Sequence, residues 1–246
     1  MPGREYFDCQ ILSGNQFNES YGNVKLYKIP GYENGKLYFI DEKNLFYWLG
    51  DTELVYPVRI PTNAIVCIDT DRYLADKLIV GSPINIIKIP TFYQICLDIV
   101  SQNGWYLCYV PLAIRTKEMC LAAVRSYGWA LTHVPDQVID SEICLAAVQQ
   151  NGLALEDVPD NLLTHIICYC AIKCNGWALQ FVPDHMLNPE TYMLAVQQNG
   201  LVLQIIPKKM KSETICLTAV QQNAQAIKFV PDRIKNLLSM EDVMVI

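Results

Sequence analysis

A repeat of 24 residues fills the second part of the chain and constrains its fold more than any other feature. Six prolines keep this spacing without an insertion or a deletion: Pro111, Pro135, Pro159, Pro183, Pro207 and Pro231. The same step separates Gly104, Gly128, Gly152, Gly176 and Gly200, and Ala224 fills the sixth copy. Residues that are 24 apart occupy the same repeat position. Such a period indicates an array in which each unit buries its apolar face only against its neighbours.

Each repeat is predicted to form a longer and a shorter helix. A residue type that caps helix N-termini stands five residues after each proline, at Thr116, Asp140, Thr164, Asn188, Ser212 and Asn236. In the third full copy, we expect Cys144, Ala147 and Val148 to form the buried stripe of the longer helix. We expect the glycine to end that helix in the left-handed conformation. The proline should end the shorter helix, because the residue before a proline disfavours helical geometry.

A period of 24 residues also suits leucine-rich repeats, which need an apolar residue two positions after the valine of each copy. That position is polar in every copy except the one with Cys174. The six residues are Gln102, Ser126, Gln150, Cys174, Gln198 and Gln222. Pairs such as Ala146-Ala147 also favour helix over strand. The sequence therefore predicts an α-solenoid.

The first 90 residues lack the repeat and predict a small β domain. Runs of aromatic and β-branched residues alternate there with turn formers, at 24–29, 36–40, 45–49, 54–60, 64–68, 73–80 and 84–89. We expect Pro57 to confine its run to a sheet edge or to split it, and residues 1–20 to be irregular or only loosely attached. The predicted fold class is α+β with two domains: a small, mostly antiparallel β domain over 1–90, then an α-solenoid of six 24-residue helix-turn-helix repeats over 91–246.

Two groups of residues in the β domain could carry chemistry, and each has a simpler interpretation. Residues 69–71 (Asp-Thr-Asp) with Asp76 could hold a divalent ion, but they stand where two strands need a turn. The aromatic run 46–48 could be a ligand platform, although aromatic strands more often line a core or a docking face. We favour the structural interpretation for both.

Cysteines form the only group in the repeats that suggests a metal. Cys168, Cys170 and Cys174 follow His165, but positions i, i+2 and i+6 of a helix do not converge on one ion, so core packing is expected. The other two histidines occupy unrelated repeat positions, with His133 expected to be partly buried and His185 exposed. The sequence therefore predicts no catalytic residue, no metal site and no cofactor.

Composition limits the partners and the compartment. The net charge of −6 argues against a nucleic-acid-binding surface. No apolar run approaches the roughly 20 residues that span a bilayer, and the start of the chain lacks the pattern of a signal peptide. Half of the ten cysteines share one repeat position with Tyr192, which marks it as a packing position for reduced thiols and fits a cytosolic or nuclear compartment: Cys96, Cys120, Cys144, Cys168 and Cys216.

Binding is expected on the surface of the array, because repeat proteins expose polar positions in continuous rows. The first polar row lies on the longer helices and comprises Arg125, Gln149, Lys173, Gln197 and Gln221. The second polar row lies on the shorter helices and comprises Thr132, Glu156, Gln180, Gln204 and Lys228. The position of Trp105, Trp129 and Trp177 is expected to be core.

The pattern E-x-C-L-A-A-V-x-x-N-G-x-A-L-x-x-V-P over residues 91 to 236 resembles an uncharacterised helical repeat, a domain of unknown function from giant DNA viruses of the mimivirus type and some bacteria. The segment from Val58 to Gly81 is similar to the N-terminal module of giant-virus ankyrin-repeat proteins. The resemblance implies a viral protein that acts in host cytoplasm, or in the virion, and binds other proteins, and it brings no catalytic residues.

Two functions follow as expectations. The first is a non-catalytic scaffold or adaptor that binds protein partners and neither nucleic acid nor membrane. The alternative is a self-assembling structural component of a virion or viral factory, in which the chain forms homo-oligomers. An enzyme with its site in the β domain ranks third.

Overall fold

The structure, a computed structural model, describes residues 10–22, 24–28, 37–48, 53–68 and 72–236. The chain divides into two compact units, residues 1–98 with 109–114 and residues 99–108 with 115–246. An antiparallel sheet occupies the N-terminal region and repeated helices follow it, which confirms the predicted α+β fold class.

The strands of the first unit pair antiparallel throughout. In chain order they are β1 (Gln10–Ser13), β2 (Leu26–Lys28), β3 (Leu37–Asp41), β4 (Leu54–Arg59), β5 (Ile65–Ile68), β6 (Tyr73–Ala75), β7 (Ile79–Val80) and β8 (Ile84–Asn85). The order across the sheet is β1-β5-β6-β3-β2-β4-β7, and β8 also pairs with β4.

Residues 10–20 are ordered, so the expectation of an irregular start is wrong for them. β1 joins the sheet beside β5, and α1 (Gly14–Tyr21) follows it at once. The side chains of Ser13 and Gln16 cap the helix reciprocally, and Phe17 is fully buried in the core of the unit. A Ser-x-x-Gln capping box is visible in the sequence, and it is the signal that could have placed this helix.

Two further expectations for this unit are wrong. Pro57 lies inside an unbroken β4 that has neighbours on both sides, because Pro57 falls in the gap between the pairing with β8 at Leu54 and Val55 and the pairing with β7 at Val58 and Arg59. A missing N–H costs no ladder bond there. The run around Phe46 forms a helix of one turn, α2 (Leu45–Trp48), in place of a strand.

Residues 92–235 repeat one motif: an α-helix, then a 3₁₀ helix of six residues. The longer helices are α3 (Phe92–Gln102), α4 (Lys117–Ser126), α5 (Ser141–Gln150), α6 (His165–Cys174), α7 (Pro189–Gln198) and α8 (Glu213–Gln222). The shorter helices are Gly104–Tyr109, Gly128–His133, Gly152–Asp157, Gly176–Phe181, Gly200–Ile205 and Ala224–Phe229, and α9 (Asp232–Lys235) follows the last of them.

The predicted caps and buried stripe are largely confirmed. Thr116, Asp140, Thr164, Asn188 and Ser212 each accept a hydrogen bond from a first-turn N–H. Asn236 is the exception, because it ends α9 and the residues after it lie outside the described part of the chain. Cys144, Ala147 and Val148 are fully buried, and Ile143 joins them.

The glycine of each repeat does not end the longer helix in the left-handed conformation, contrary to the prediction. None of the five repeat glycines has a left-handed φ, and all five are buried. A Cβ on Gly152 would lie 2.3 Å from the Ala171 carbonyl oxygen of the next repeat, and a Cβ on Gly104 would lie 2.0 Å from that of Ala123. The glycine therefore permits a close approach between neighbouring repeats. Ala224 in the sixth copy is exposed. Among the described residues, it is not followed by another of the longer helices.

Polar side chains also join neighbouring repeats. The Gln150 side chain accepts a hydrogen bond from the Gly128 N–H at 2.6 Å and donates to the Ser126 carbonyl at 3.4 Å. Gln222 makes the same two bonds to Gly200 and Gln198. Both glutamines stand at the repeat position whose polarity argued against leucine-rich repeats. Each connects its own helix to the C-terminal end of the preceding longer helix.

Replacing Gln150 with alanine is expected to destabilise the chain by about 1–2 kcal/mol, because the Gly128 N–H loses its acceptor in a half-buried site. Urea unfolding would measure the change. Gln149→Ala is the matched control, since Gln149 is an exposed glutamine on the same helix. Equal effects of the two substitutions would contradict the connecting role of Gln150.

Two buried or half-buried cations fasten other repeat ends. The Arg115 guanidinium donates to the carbonyls of His133 at 2.7 Å and Cys108 at 3.1 Å. At the same repeat position, the Lys211 ammonium donates to the Phe229 carbonyl at 3.0 Å. Each cation therefore satisfies a carbonyl at the C-terminal end of the shorter helix 18 residues further along.

Candidate interaction surface

Each longer helix has a second face, opposite the buried stripe, that is open to solvent. In α5 this face presents Glu142, Leu145, Ala146 and Gln149, which are spaced i, i+3, i+4 and i+7 and so lie along one side of the helix. These four residues line one groove of about 350 Å³ together with Arg125 of α4 and Gln150. The middle of this solvent face is apolar.

The same arrangement recurs in α4 to α8, which pack side by side in sequence order. We call the two central repeat positions of the solvent face the apolar band. Its larger residues are Leu121, Leu145, Tyr169, Met193 and Leu217, and its smaller positions hold Ala122, Ala146, Cys170, Leu194 and Thr218. All are half-buried except Tyr169, which is exposed.

The band is most exposed on α6. Ile166 and Tyr169, one turn apart on the same face, are 68% and 51% exposed. Ile166 occupies a repeat position that holds glutamate in three other copies, at Glu118, Glu142 and Glu190. Contiguous exposed apolar surface of this kind marks interaction sites more often than scattered single residues do.

Charged and amide side chains border the band. On the side of the helix N-termini lie Glu118, Glu142 and Glu190, which we call the acidic rim; all three are exposed. Lys117 lies 2.7 Å from both Asp140 and Glu142, so part of this rim is paired. The hydrogen bonds that Lys117 donates to these two carboxylates raise the pKa of Lys117, and the bond to Asp140 lowers the pKa of Asp140.

The two predicted polar rows lie on different helices. The first polar row borders the band at the C-terminal ends of the longer helices, and all five of its residues are exposed. Arg125 and Gln149 of this row line the groove. The second polar row is also exposed, but it lies on the 3₁₀ helices. Which row contacts a partner stays a prediction.

The tryptophan position is not core, contrary to expectation. Trp105 is 47% exposed, and Trp129 and Trp177 are half-buried. The shorter helices instead bury the next two positions, such as Ala130 and Leu131. Alanine and leucine fill the narrow space behind a 3₁₀ helix, which leaves the large rings at the surface.

His133 is half-buried and His185 is exposed, as predicted. The His133 ring meets the Trp105 ring edge-on, with 5.9 Å between the ring centroids. Burial, and then the nearby Arg115 guanidinium, lower the pKa of His133. The imidazole is therefore neutral at pH 7.

Asp157 is the one half-buried acid on the shorter helices that the structure describes, and its environment is unfavourable for a charge. Its Oδ2 is buried without a hydrogen-bond partner among the described residues. Burial, and then the neighbouring Glu156 carboxylate, raise its pKa above 3.8. Its repeat position holds aromatic residues in several other copies, including Phe181 and Phe229.

Replacing Asp157 with asparagine is expected to stabilise the chain at pH 7 by about 1 kcal/mol, because no charged oxygen is then buried unpaired. The raised pKa means that the folded chain binds the proton more tightly than the unfolded chain does. The contribution of Asp157 to the free energy of unfolding is therefore full below pH 3.8, and it is lost as the pH rises through the raised pKa. Urea unfolding at pH 3.5 and pH 7 would show the gain only at pH 7, whereas the exposed control Asp160→Asn should show little at either pH. A gain of equal size at both pH values would contradict this assignment.

The cysteine group of α6 does not converge. The Cys168 thiol lies 3.8 Å from the Met186 sulfur, the Cys174 thiol lies 3.6 Å from the Gln149 carbonyl oxygen, and Cys170 is half-buried between them in sequence. Within the described ranges, no three His, Cys, Asp or Glu side chains are placed to hold a metal ion. The five cysteines of the shared repeat position are buried free thiols, but Cys67 of β5 is disulfide-bonded. The compartment expected from reduced thiols therefore stays a prediction.

Two of the remaining predicted features are only partly described. Residues 69–71 lie outside the described residues, while the Asp76 carboxylate accepts a hydrogen bond from the Ile65 N–H at 2.7 Å, as a turn residue does. Of the aromatic run, Phe46 is buried and Tyr47 is exposed. In the part of the chain that the structure describes, no helix is long and apolar enough to cross a membrane.

The apolar band was missed from the sequence, although its pattern is there. The apolar residues at i+3 and i+4 from each rim residue belong to a face of their own, because the buried stripe already accounts for the positions of Cys144, Ala147 and Val148. Counting apolar residues on both faces of α5 reveals a helix that is apolar on two sides.

Comparisons with known proteins identify the repeat and little else. The model of a domain of unknown function, DUF4116, matches five overlapping segments: residues 93–139, 116–164, 140–187, 166–211 and 188–235. Together these cover more than half of the 246 residues. No curated protein and no solved structure matches the chain.

Proposed function

The chain belongs to the DUF4116 repeat family, which carries no assigned function, and we propose that it is a non-catalytic scaffold or adaptor that binds protein partners through the apolar band. The observation that supports this most directly is the exposure of Ile166 and Tyr169 in the centre of five consecutive helices. Exposed aromatic and aliphatic residues that are surrounded by polar ones are the usual anchors of protein interfaces. The giant-virus origin and the site of action in host cytoplasm belong to the same proposal and rest on the repeat resemblance alone.

Co-purification with variants of the band tests this function. The full chain, the double variant Ile166→Glu with Tyr169→Ala, and the control variant Gln137→Ala, which changes an exposed turn residue outside both polar rows, would each be recovered from expressing cells under several conditions. Proteins that accompany the wild type and the control but are lost from the double variant would support the proposal. Recovery of the chain alone, or of the same proteins with all three forms, would refute it.

Self-assembly is the second candidate, and the sheet edges favour it. Among the described residues, β1 and β7 end the strand order, and they present Ile11 and Ile79 at 67% and 58% exposure. Unprotected edge strands pair readily with other chains. Sedimentation at micromolar concentration tests this function: a homo-oligomer that Ile11→Lys or Ile79→Lys dissociates would support it, and a strict monomer would exclude it.

A further inference from the structure

The apolar band has the width of one α-helix. Its borders are the acidic rim and the first polar row, which are seven residues apart on each longer helix, for example Glu118 and Arg125. At a rise of 1.5 Å per residue, this separation is about 10 Å along the helix axis. The diameter of an α-helix with its side chains is about 10–12 Å. A single helix laid across the longer helices would therefore fill the band from border to border.

The band is also long enough for such a helix. It crosses α4, α5, α6, α7 and α8. Neighbouring packed helices are roughly 8–10 Å apart, so four spacings give about 35 Å. That length corresponds to a helix of about 23 residues.

The two borders differ in charge. Glu118, Glu142 and Glu190 form the acidic rim, whereas the first polar row carries the cations Arg125 and Lys173 and no anion. Lys117 pairs with Glu142, and Glu190 adds negative charge to the rim on α7. A helix that complements both borders would therefore carry basic residues along one flank of its apolar face and acidic residues along the other.

α6 supplies the anchor in the middle of this surface. Ile166 interrupts the acidic rim with an apolar side chain, and Tyr169 projects from the band one turn later. Their position between α5 and α7 places them in the centre of the five helices, where interface residues are most fully desolvated on binding.

From the width, the length, the charges and the anchor, we infer that the band binds one amphipathic α-helix of a partner protein, with basic residues over the acidic rim and acidic residues over Arg125 and Lys173. This inference rests on the proposed scaffold function and names the chemistry of its partner. Ile166 and Tyr169 contact the apolar face of the bound helix.

Four synthetic helical peptides of 23 residues test the inference with the full-length chain. The first has a leucine face with lysines on one flank and glutamates on the other. The second has lysines on both flanks, the third has glutamates on both, and the fourth has the composition of the first with its leucines spread around the helix. Fluorescence anisotropy at moderate salt should show that the first peptide binds at least about tenfold more tightly than the other three, since each good charge match and the buried face add to its affinity.

Variants of the chain locate the site. Ile166→Glu restores the residue type of the other copies and so should fold. This change and Tyr169→Ala should each weaken binding of the first peptide about tenfold, while Gln137→Ala, in an exposed turn outside both polar rows, should leave its binding unchanged. Arg125→Glu with Lys173→Glu makes both borders acidic and should transfer the preference to the peptide with two basic flanks. Melting curves of each variant check that it is folded.

Three results would overturn the inference: equal binding of the first three peptides, binding that is insensitive to Ile166→Glu and Tyr169→Ala in folded protein, or a dimer of the free chain that Tyr169→Ala dissociates. The last would show that a second copy occupies the band. If cellular partners depend on the band but the first peptide does not bind, the helical ligand is wrong and the scaffold function stands. If no protein depends on the band, the scaffold function itself fails.

Discussion

Replacing Gly152 with alanine is expected to destabilise the chain by about 3 kcal/mol, because the new Cβ would overlap backbone atoms that cannot rotate away. It would stand 2.3 Å from the Ala171 carbonyl oxygen and 2.9 Å from the Asn175 nitrogen, so two repeats must separate to admit it. Helix propensity alone predicts the opposite sign, since alanine is favoured over glycine by about 1 kcal/mol in a helix. Urea unfolding of the full chain measures the difference.

The sixth copy offers the matched control for this prediction. Ala224 shares the repeat position of Gly152 and is exposed. Ala224→Gly should change stability by less than about 1 kcal/mol, the ordinary propensity difference. A Gly152→Ala variant as stable as the wild type would show that the repeats do not approach as closely as described.

The buried thiols are expected to react with iodoacetamide at pH 8 at least about 100-fold more slowly than the exposed Cys174. Burial raises the pKa of Cys120 and of Cys144 to about 11. At pH 8 about one of these buried thiols in a thousand is then ionised, and only the thiolate reacts, whereas the Cys174 side chain is exposed to the reagent. The difference is largest at neutral pH and shrinks as the pH rises toward 11.

Mass spectrometry of each alkylated cysteine over time would check this prediction. In 8 M urea all the free cysteines should react at similar rates, because the burial that separates them is gone. Alkylation of Cys144 within tenfold of Cys174 in the folded protein would show that the repeat core opens on the timescale of labelling.

Periodicity predicted the repeat region well because its signals are local. The caps at Thr116 and Asp140 and the buried stripe around Cys144 depend on a few neighbouring residues, so one copy suffices to identify them. The purpose of Gly152 depends on a carbonyl 19 residues away and was therefore assigned to the wrong cause. The Gln150 bonds and the Arg115 bonds also cross between repeats, where sequence spacing gives no distance.

The β unit was harder to predict, for reasons of context. A strand with Pro57 is normally at an edge, and it is central here only because β7 and β8 leave a gap beside that residue. The short helix at Phe46 replaces a predicted strand, since an apolar run of four residues has no periodicity that distinguishes a helix from a strand. In the candidate surface, the repeat spacing predicts both polar rows. The apolar band between the acidic rim and the first polar row lies on a second face of each longer helix, which the spacing of the buried stripe does not indicate.

The contact between each repeat glycine and the carbonyl of the next copy has a consequence for how such a chain can change its size. Because Gly128, Gly152 and Gly176 meet the same kind of carbonyl at the same point, excision of residues 141–164 would bring together two surfaces that already fit. The array consists of equivalent units, so duplication or loss of a 24-residue unit lengthens or shortens it without a new kind of contact between repeats. The number of copies, and with it the length of any ligand laid across them, can then be altered by recombination alone.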